Sequence, residues 1–103
     1  MLMETEARIQ AMENHADQVA ALLTDFSKSL EAYAKGQAAV NKLSDYYGSE
    51  EWYHDFEASN QGALPSDLKC GVLSEDQVYN LLTDNYDLAI RMLEIATQVI
   101  KNY

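Results

Sequence analysis

One feature constrains this fold more than any other. It is a long run of residues in which apolar side chains recur at alternating steps of three and four. It extends from Ile9 to Tyr47 without a slip, and only Gln37 and Ser44 in it are polar. The alternation is typical of an α-helix that packs along its whole length. We call these residues the long seam: Ile9, Met12, Ala16, Val19, Leu23, Phe26, Leu30, Tyr33, Gln37, Val40, Ser44 and Tyr47. The long seam predicts one helix over about residues 4–47.

Gly36 is the one candidate break in this predicted helix. A glycine in a helix interior costs about 1 kcal/mol relative to alanine. The long seam also turns polar at the next residue, Gln37. Neither a proline nor a cluster of turn residues accompanies the glycine. We therefore predict a continuous or gently bent helix, and a break at Gly36 into two packed pieces is the alternative.

The residues after Tyr47 predict a tight corner between two helices. Gly48 suits the left-handed residue that closes a helix, and Ser49 suits the N-cap that opens the next one. We predict a short helix over about residues 50–58. Three aromatic residues are expected to face inward from it: Trp52, Tyr53 and Phe56.

A connector over residues 59–73 and a second long helix complete the predicted fold. Ser74 and Gln77 have the spacing of a capping box, which marks the start of a helix. We predict that this last helix runs over about residues 75–102. An interruption at residues 83–85 is the alternative, because Thr, Asp and Asn prefer caps to helix interiors.

Two long helices joined by a short helix and a connector are expected to lie antiparallel. We therefore predict an all-α fold, an elongated antiparallel helical hairpin of two long helices with a short third helix and a connector at the closed end. Residues 1–103 are expected to form a single helical domain. The first predicted helix is longer than the last by about 24 Å. The last helix therefore cannot pack against the whole long seam, and another surface has to pack against the rest.

Acidic residues dominate the middle of the chain. The net charge is −10, and residues 43–90 carry ten acids against the one base Lys69. This charge disfavours direct binding to nucleic acids or to membranes, and it is compatible with a basic protein partner. The single cysteine, Cys70, permits no disulfide within the chain, and the sequence shows no signal peptide or membrane span. We therefore expect a cytoplasmic protein.

Motifs for catalysis are few. Glu51 and His54 form one Glu-x-x-His pair at helical spacing, whereas di-iron bundles supply two such pairs and two further glutamates. No phosphate-binding loop, hydrolase elbow or zinc-protease signature is present. We therefore expect no catalytic residue, no metal ligand and no cofactor, and we predict that the protein is not an enzyme. A metal-assisted enzyme that uses Glu51 and His54 is an alternative.

Three stretches of the sequence point to a known family: YYGSEEW from Tyr46, LPSDLKCGVLSED from Leu64 and YNLL from Tyr79. Over about residues 8–96 the chain resembles a small family of bacterial proteins catalogued only as a domain of unknown function. The resemblance implies an all-helical bacterial protein. It implies no activity and no catalytic residue.

The surplus length of the long seam and the aromatic, acidic corner both indicate binding. We expect a non-catalytic protein–protein interaction module that self-associates through a dimer seam formed by Val19, Leu23, Phe26, Leu30 and Tyr33. Six residues near the corner are candidates for binding a partner: Tyr46, Tyr47, Glu50, Glu51, Tyr53 and Asp55. The alternative is an acidic nucleic-acid mimic that occupies a basic groove of a DNA-binding or defence protein.

Overall fold

The computed structural model describes all 103 residues of the chain, and its regular structure is entirely helical. Helix α1 spans Leu2–Tyr46, helix α2 spans Glu50–Asn60, a 3₁₀ turn spans Gly71–Leu73, and helix α3 spans Gln77–Lys101. No strand is present, so the predicted all-α class is confirmed. Two long helices flank a short one, in the predicted order.

Helix α1 is continuous through Gly36, as predicted, and does not break into two pieces there. A Cβ added at Gly36 would meet no atom within 4 Å, so nothing packs closely on this position. No residue of α1 is fully buried. By its contacts the chain divides into two compact units, Met1–Gln37 and Ala38–Tyr103. The single-domain organisation stays a prediction.

Helix α2 ends at Asn60, two residues beyond the predicted end. Gly62 adopts a φ of +70°, which favours glycine because a Cβ is crowded in the left-handed region. The Gly62 N–H donates to the Ser59 carbonyl at 3.1 Å, and the Ala63 N–H donates to the Ala58 carbonyl at 3.0 Å. This pair of bonds is a Schellman motif, which satisfies the last carbonyls of the helix and stops it.

Ser74 makes one of the two hydrogen bonds of the predicted capping box, although the N-cap residue of α3 is Asp76, whose side chain makes no cap bond. The Ser74 Oγ accepts a hydrogen bond from the Gln77 N–H at 3.2 Å and donates one to the Gly71 carbonyl at 2.8 Å. The reverse bond does not form, because the Ser74 N–H also bonds the Gly71 carbonyl and closes the 3₁₀ turn. Helix α3 begins at Gln77, two residues later than predicted. It continues through residues 83–85 without interruption.

The buried core is small and lies in the unit Ala38–Tyr103. Its apolar side chains are Trp52, Leu73 and Val78, which are 7%, 8% and 0% exposed. The prediction that Tyr53 faces inward is wrong, since its side chain is 61% exposed. Adjacent residues on a helix point about 100° apart, so Trp52 and Tyr53 cannot both enter the same core.

Candidate functional site

The corner, residues 46–56, is shaped by a glycine and a serine. Gly48 closes α1 with a φ of +78°. Ser49, in extended backbone, is the N-cap of α2, and its Oγ accepts a hydrogen bond from the Trp52 N–H at 3.2 Å. The same Oγ–H donates to the Tyr46 carbonyl at 2.6 Å. These bonds span the turn, so they fix the direction in which α2 leaves α1.

Trp52 attaches the corner to the connector. Its indole Nε1–H donates to the Val72 carbonyl at 2.9 Å. The Phe56 ring stacks on the indole with centroids 5.2 Å apart and planes at 15°. The rings of Tyr47 and Tyr53 meet it edge-on, at centroid distances of 5.7 and 5.1 Å. Ring pairs in these geometries each contribute about 1 kcal/mol beyond the area they bury.

The two tyrosines at the end of α1 make separate polar links. Tyr47 Oη–H donates to the Glu75 carbonyl at 3.0 Å and so connects the corner to the segment that leads into α3. Tyr46 Oη–H donates to Asp55 Oδ2 at 2.6 Å and so connects the end of α1 to α2. Both tyrosines are half-buried. Their hydroxyl groups therefore serve the packing of the corner.

The bond between Tyr46 and Asp55 changes the acidity of both groups. The hydrogen bond to Asp55, then partial burial and the nearby negative charges, raise the pKa of Tyr46 to about 12. The same bond, and after it one from His54, hold the pKa of Asp55 below its usual value. His54 Nδ1 lies 3.4 Å from Asp55 Oδ1, a contact that becomes an ion pair when the imidazole is protonated.

The six predicted partner-binding residues divide into two groups. Three are half-buried and hydrogen-bonded within the fold: Tyr46, Tyr47 and Asp55. Three are exposed at the start of α2: Glu50, Glu51 and Tyr53. The exposed group offers two carboxylates and one aromatic ring, which is chemistry suited to a basic protein surface.

The structure does not extend the Glu51 and His54 pair into a metal site. No group of three or more His, Cys, Asp or Glu side chains is placed to hold a metal ion. The His54 ring instead contacts the carboxylate of Asp55, its neighbour in sequence. Cys70 is a half-buried free thiol in the connector.

The predicted dimer seam lies in the unit Met1–Gln37 and is largely exposed. The exposed fractions are 52% for Val19, 66% for Leu23, 59% for Phe26 and 43% for Leu30, and Tyr33 is half-buried. Between Val19 and Leu30 these side chains follow one face of α1 for about 17 Å. The row is therefore apolar and exposed over this length.

The corner, the dimer seam and most of α3 fall within the match to one family model. The model described as Domain of unknown function (DUF4298) matches residues 9–95, which is well over half of the chain. The chain belongs to this family. The resemblance seen in the sequence motifs is therefore confirmed. No curated protein and no solved structure matches the chain.

The DUF4298 match contains all the residues of the predicted sites. It begins at Ile9, the first residue of the long seam, and extends into the last third of α3. The family description states no activity.

Sequence reasoning assigned no site to α3, although much of its apolar surface is exposed. Leu93, Val99 and Ile100 are 69%, 64% and 75% exposed. The sequence signal for this surface is the seven-residue spacing of Tyr79 and Tyr86, which are 60% and 66% exposed.

No helix of the chain has both the length and the apolar character that a membrane span requires.

Proposed function

We propose that this DUF4298 protein is a non-catalytic protein–protein interaction module that self-associates. The contact between copies includes the dimer seam formed by Val19, Leu23, Phe26, Leu30 and Tyr33. The observation that carries the proposal is the exposure of four of these side chains, 43–66%, on one face of a continuous helix. Covering such a row removes apolar surface from water, which is the main favourable term in protein association.

A second copy is the partner that we propose for the dimer seam. In a two-fold arrangement the same patch serves both subunits, so one apolar row in the sequence satisfies both sides of the contact. We also propose a bacterial, cytoplasmic setting. The family resemblance supports the first, and the free thiol of the single cysteine supports a reducing compartment.

Sedimentation velocity on the wild type and two matched variants tests self-association. Leu23→Glu places a charge in the dimer seam, and Ala21→Glu places the same charge about 200° away on the exposed opposite face. We expect dimers of the wild type and of Ala21→Glu. We expect at least tenfold weaker association of Leu23→Glu, because a charge buried in an apolar contact lacks a partner.

A wild-type chain that stays monomeric at high micromolar concentration would contradict the proposal. Equal weakening by both variants would also contradict it, because that result would indicate general charge repulsion. Far-UV circular dichroism on all three proteins checks that α1 remains helical.

An acidic mimic of nucleic acid is the second candidate, and the ten acids against one base in residues 43–90 support it. Changing Glu50 and Glu51 together to glutamine separates the two functions. A mimic loses its basic partner in this variant, whereas self-association through the dimer seam is unchanged. Asp55 is left intact because its carboxylate holds Tyr46 in place.

A further inference from the structure

All the charged side chains of α3 lie on one side of the helix. They are Asp84, Asp87, Arg91, Glu94 and Lys101, separated by steps of three, four, three and seven. At 100° per residue they occupy an arc of about 100°. Their charges sum to −1, although the whole chain carries −10. The remaining surface of α3 carries no charge.

Two heptad rows lie side by side on this uncharged surface. The first begins at Val78 and reaches Val99 in alternating steps of three and four. The second is displaced by one residue, or about 100° around the helix, and begins at Tyr79. The first row is covered only at its start: Val78 is buried, whereas Leu81, Ile95 and Val99 are 50%, 50% and 64% exposed.

We call the second row the tyrosine seam. Its first-position residues are large: Tyr79, Tyr86, Leu93 and Ile100. Its second-position residues are Leu82, Ala89 and Ala96, of which the two alanines are small. The four large side chains are 60–75% exposed, so the unit Ala38–Tyr103 does not cover them.

We propose that the tyrosine seam pairs with the tyrosine seam of a second copy, with the two α3 helices antiparallel about a two-fold axis at residue 91. The proposal rests on the self-association proposed above and names a surface for it on α3. It adds an α3 contact to the dimer seam of α1.

The sizes of the side chains make the tyrosine seam complementary to itself in this orientation. In an antiparallel pair the first-position residues of one helix face the second-position residues of the other. With the axis at residue 91, Leu93 lies opposite Ala89, Tyr86 opposite Ala96, and Ile100 opposite Leu82. Leu93 and Tyr86 then each meet an alanine, and Ile100 meets a leucine of equal size, so the two central layers on each side of the axis pair a large side chain with a small one.

In a parallel pair of α3 helices the side-chain sizes would not match. It would place each residue against its own counterpart, so Tyr86 would meet Tyr86 and Ala89 would meet Ala89. Overpacked layers of two large side chains would then alternate with layers of two small ones that leave cavities, and both are destabilising. The alternation of sizes therefore favours the antiparallel pair.

The distribution of charge favours a second copy as the occupant. Two chains of net charge −10 repel each other, so they associate best through the surface with the least charge. On α3 every charged residue lies away from the tyrosine seam.

Cysteine cross-linking tests the pairing directly. The variant Tyr86→Cys/Ala96→Cys is made in a Cys70→Ser background. Residues 86 and 96 are about 15 Å apart along one helix, beyond the reach of about 7 Å between the Cα atoms of a disulfide. Any disulfide in this variant therefore joins two copies. We expect a covalent dimer to be the main product under mild oxidation at low micromolar concentration.

Matched variants separate the alternatives. Asp84→Cys/Glu94→Cys has the same ten-residue spacing on the charged side, and we expect it to stay monomeric on denaturing gels. Tyr86→Cys alone is expected not to link in an antiparallel pair. Linking by the Tyr86→Cys single variant would indicate a parallel pair and would overturn the proposal.

Failure of the inference can be distinguished from failure of self-association. If the Cys70→Ser protein sediments as a dimer and the Tyr86→Cys/Ala96→Cys variant does not link, the contact lies elsewhere and the inference is wrong. A monomeric Cys70→Ser protein overturns both proposals. If the double variant loses helicity, Leu93→Glu in the native chain replaces it, and dimerisation weakened less than tenfold contradicts the inference.

Discussion

Tyr46 Oη and Asp55 Oδ2 lie 2.6 Å apart, and the hydrogen bond between them joins the end of α1 to the middle of α2. The phenol donates this bond only while it is neutral. The carboxylate accepts it most strongly while it is ionised. The contribution of this contact to stability therefore depends on pH at both ends of the scale.

The pH dependence of this bond is the first prediction. The pKa of Asp55 is lowered in the fold, so its contribution is present above the unfolded value of 3.8 and is lost as the pH falls through the folded value. The pKa of Tyr46 is raised from 10.0 to about 12, so its contribution is present below pH 10.0 and is lost as the pH rises through about 12.

Comparison of the wild type with Tyr46→Phe measures this effect. We expect the difference in urea midpoint to be constant between about pH 5 and pH 9 and to shrink toward pH 2. A difference that persists unchanged into acid would show that the Asp55 carboxylate is not the partner.

Trp52 and Tyr53 provide a matched pair for the second prediction. Trp52→Ala removes the buried indole and leaves the Val72 carbonyl without its donor, so we expect the free energy of unfolding to fall by at least about 3 kcal/mol. Tyr53→Ala removes a side chain that is 61% exposed together with its one edge-on contact to Trp52, and should cost only about 1 kcal/mol. Urea unfolding followed by far-UV circular dichroism measures both, and equal losses would contradict the inward assignment of Trp52.

The third prediction concerns two glycine-to-alanine substitutions, which we expect to change the free energy of unfolding in opposite directions. Gly48→Ala forces a side chain into a backbone with a φ of +78°, so we expect a loss of about 1–2 kcal/mol in the free energy of unfolding. Gly36→Ala adds a methyl group to a helix interior where no atom lies within 4 Å, so we expect a gain of about 0.5–1 kcal/mol. Thermal unfolding compares the two variants, and a loss of stability in Gly36→Ala would indicate that this part of α1 is not a regular helix.

Local signals in the sequence were sufficient to predict most helix ends. Gly48 and Ser49 act within three or four residues, and each makes the turn or cap that its chemistry favours. Ser74 bonds the Gln77 N–H as its spacing predicts, but α3 begins only at Gln77, two residues later than predicted. Predictions that depend on short-range hydrogen bonds are therefore accurate to about two residues.

Side-chain burial, and contacts between residues that are distant in sequence, could not be predicted from such local signals. Tyr46 and Asp55 are nine residues apart, and only the angle of the corner shows that they meet. Tyr53 has the same apolar character as Trp52, and only the rotation of α2 excludes it from the core. Heptad spacing likewise shows that α3 has apolar rows, but it does not show which of them is left uncovered.

Trp52 is the only tryptophan of the chain, and its indole is buried between α2 and the connector, where it donates to the Val72 carbonyl. Its intrinsic fluorescence therefore reports on the unit Ala38–Tyr103, to which it belongs. Circular dichroism, in contrast, senses every helical turn. A melt followed by both signals separates loss of the corner from fraying of the first thirty-seven residues without any added label.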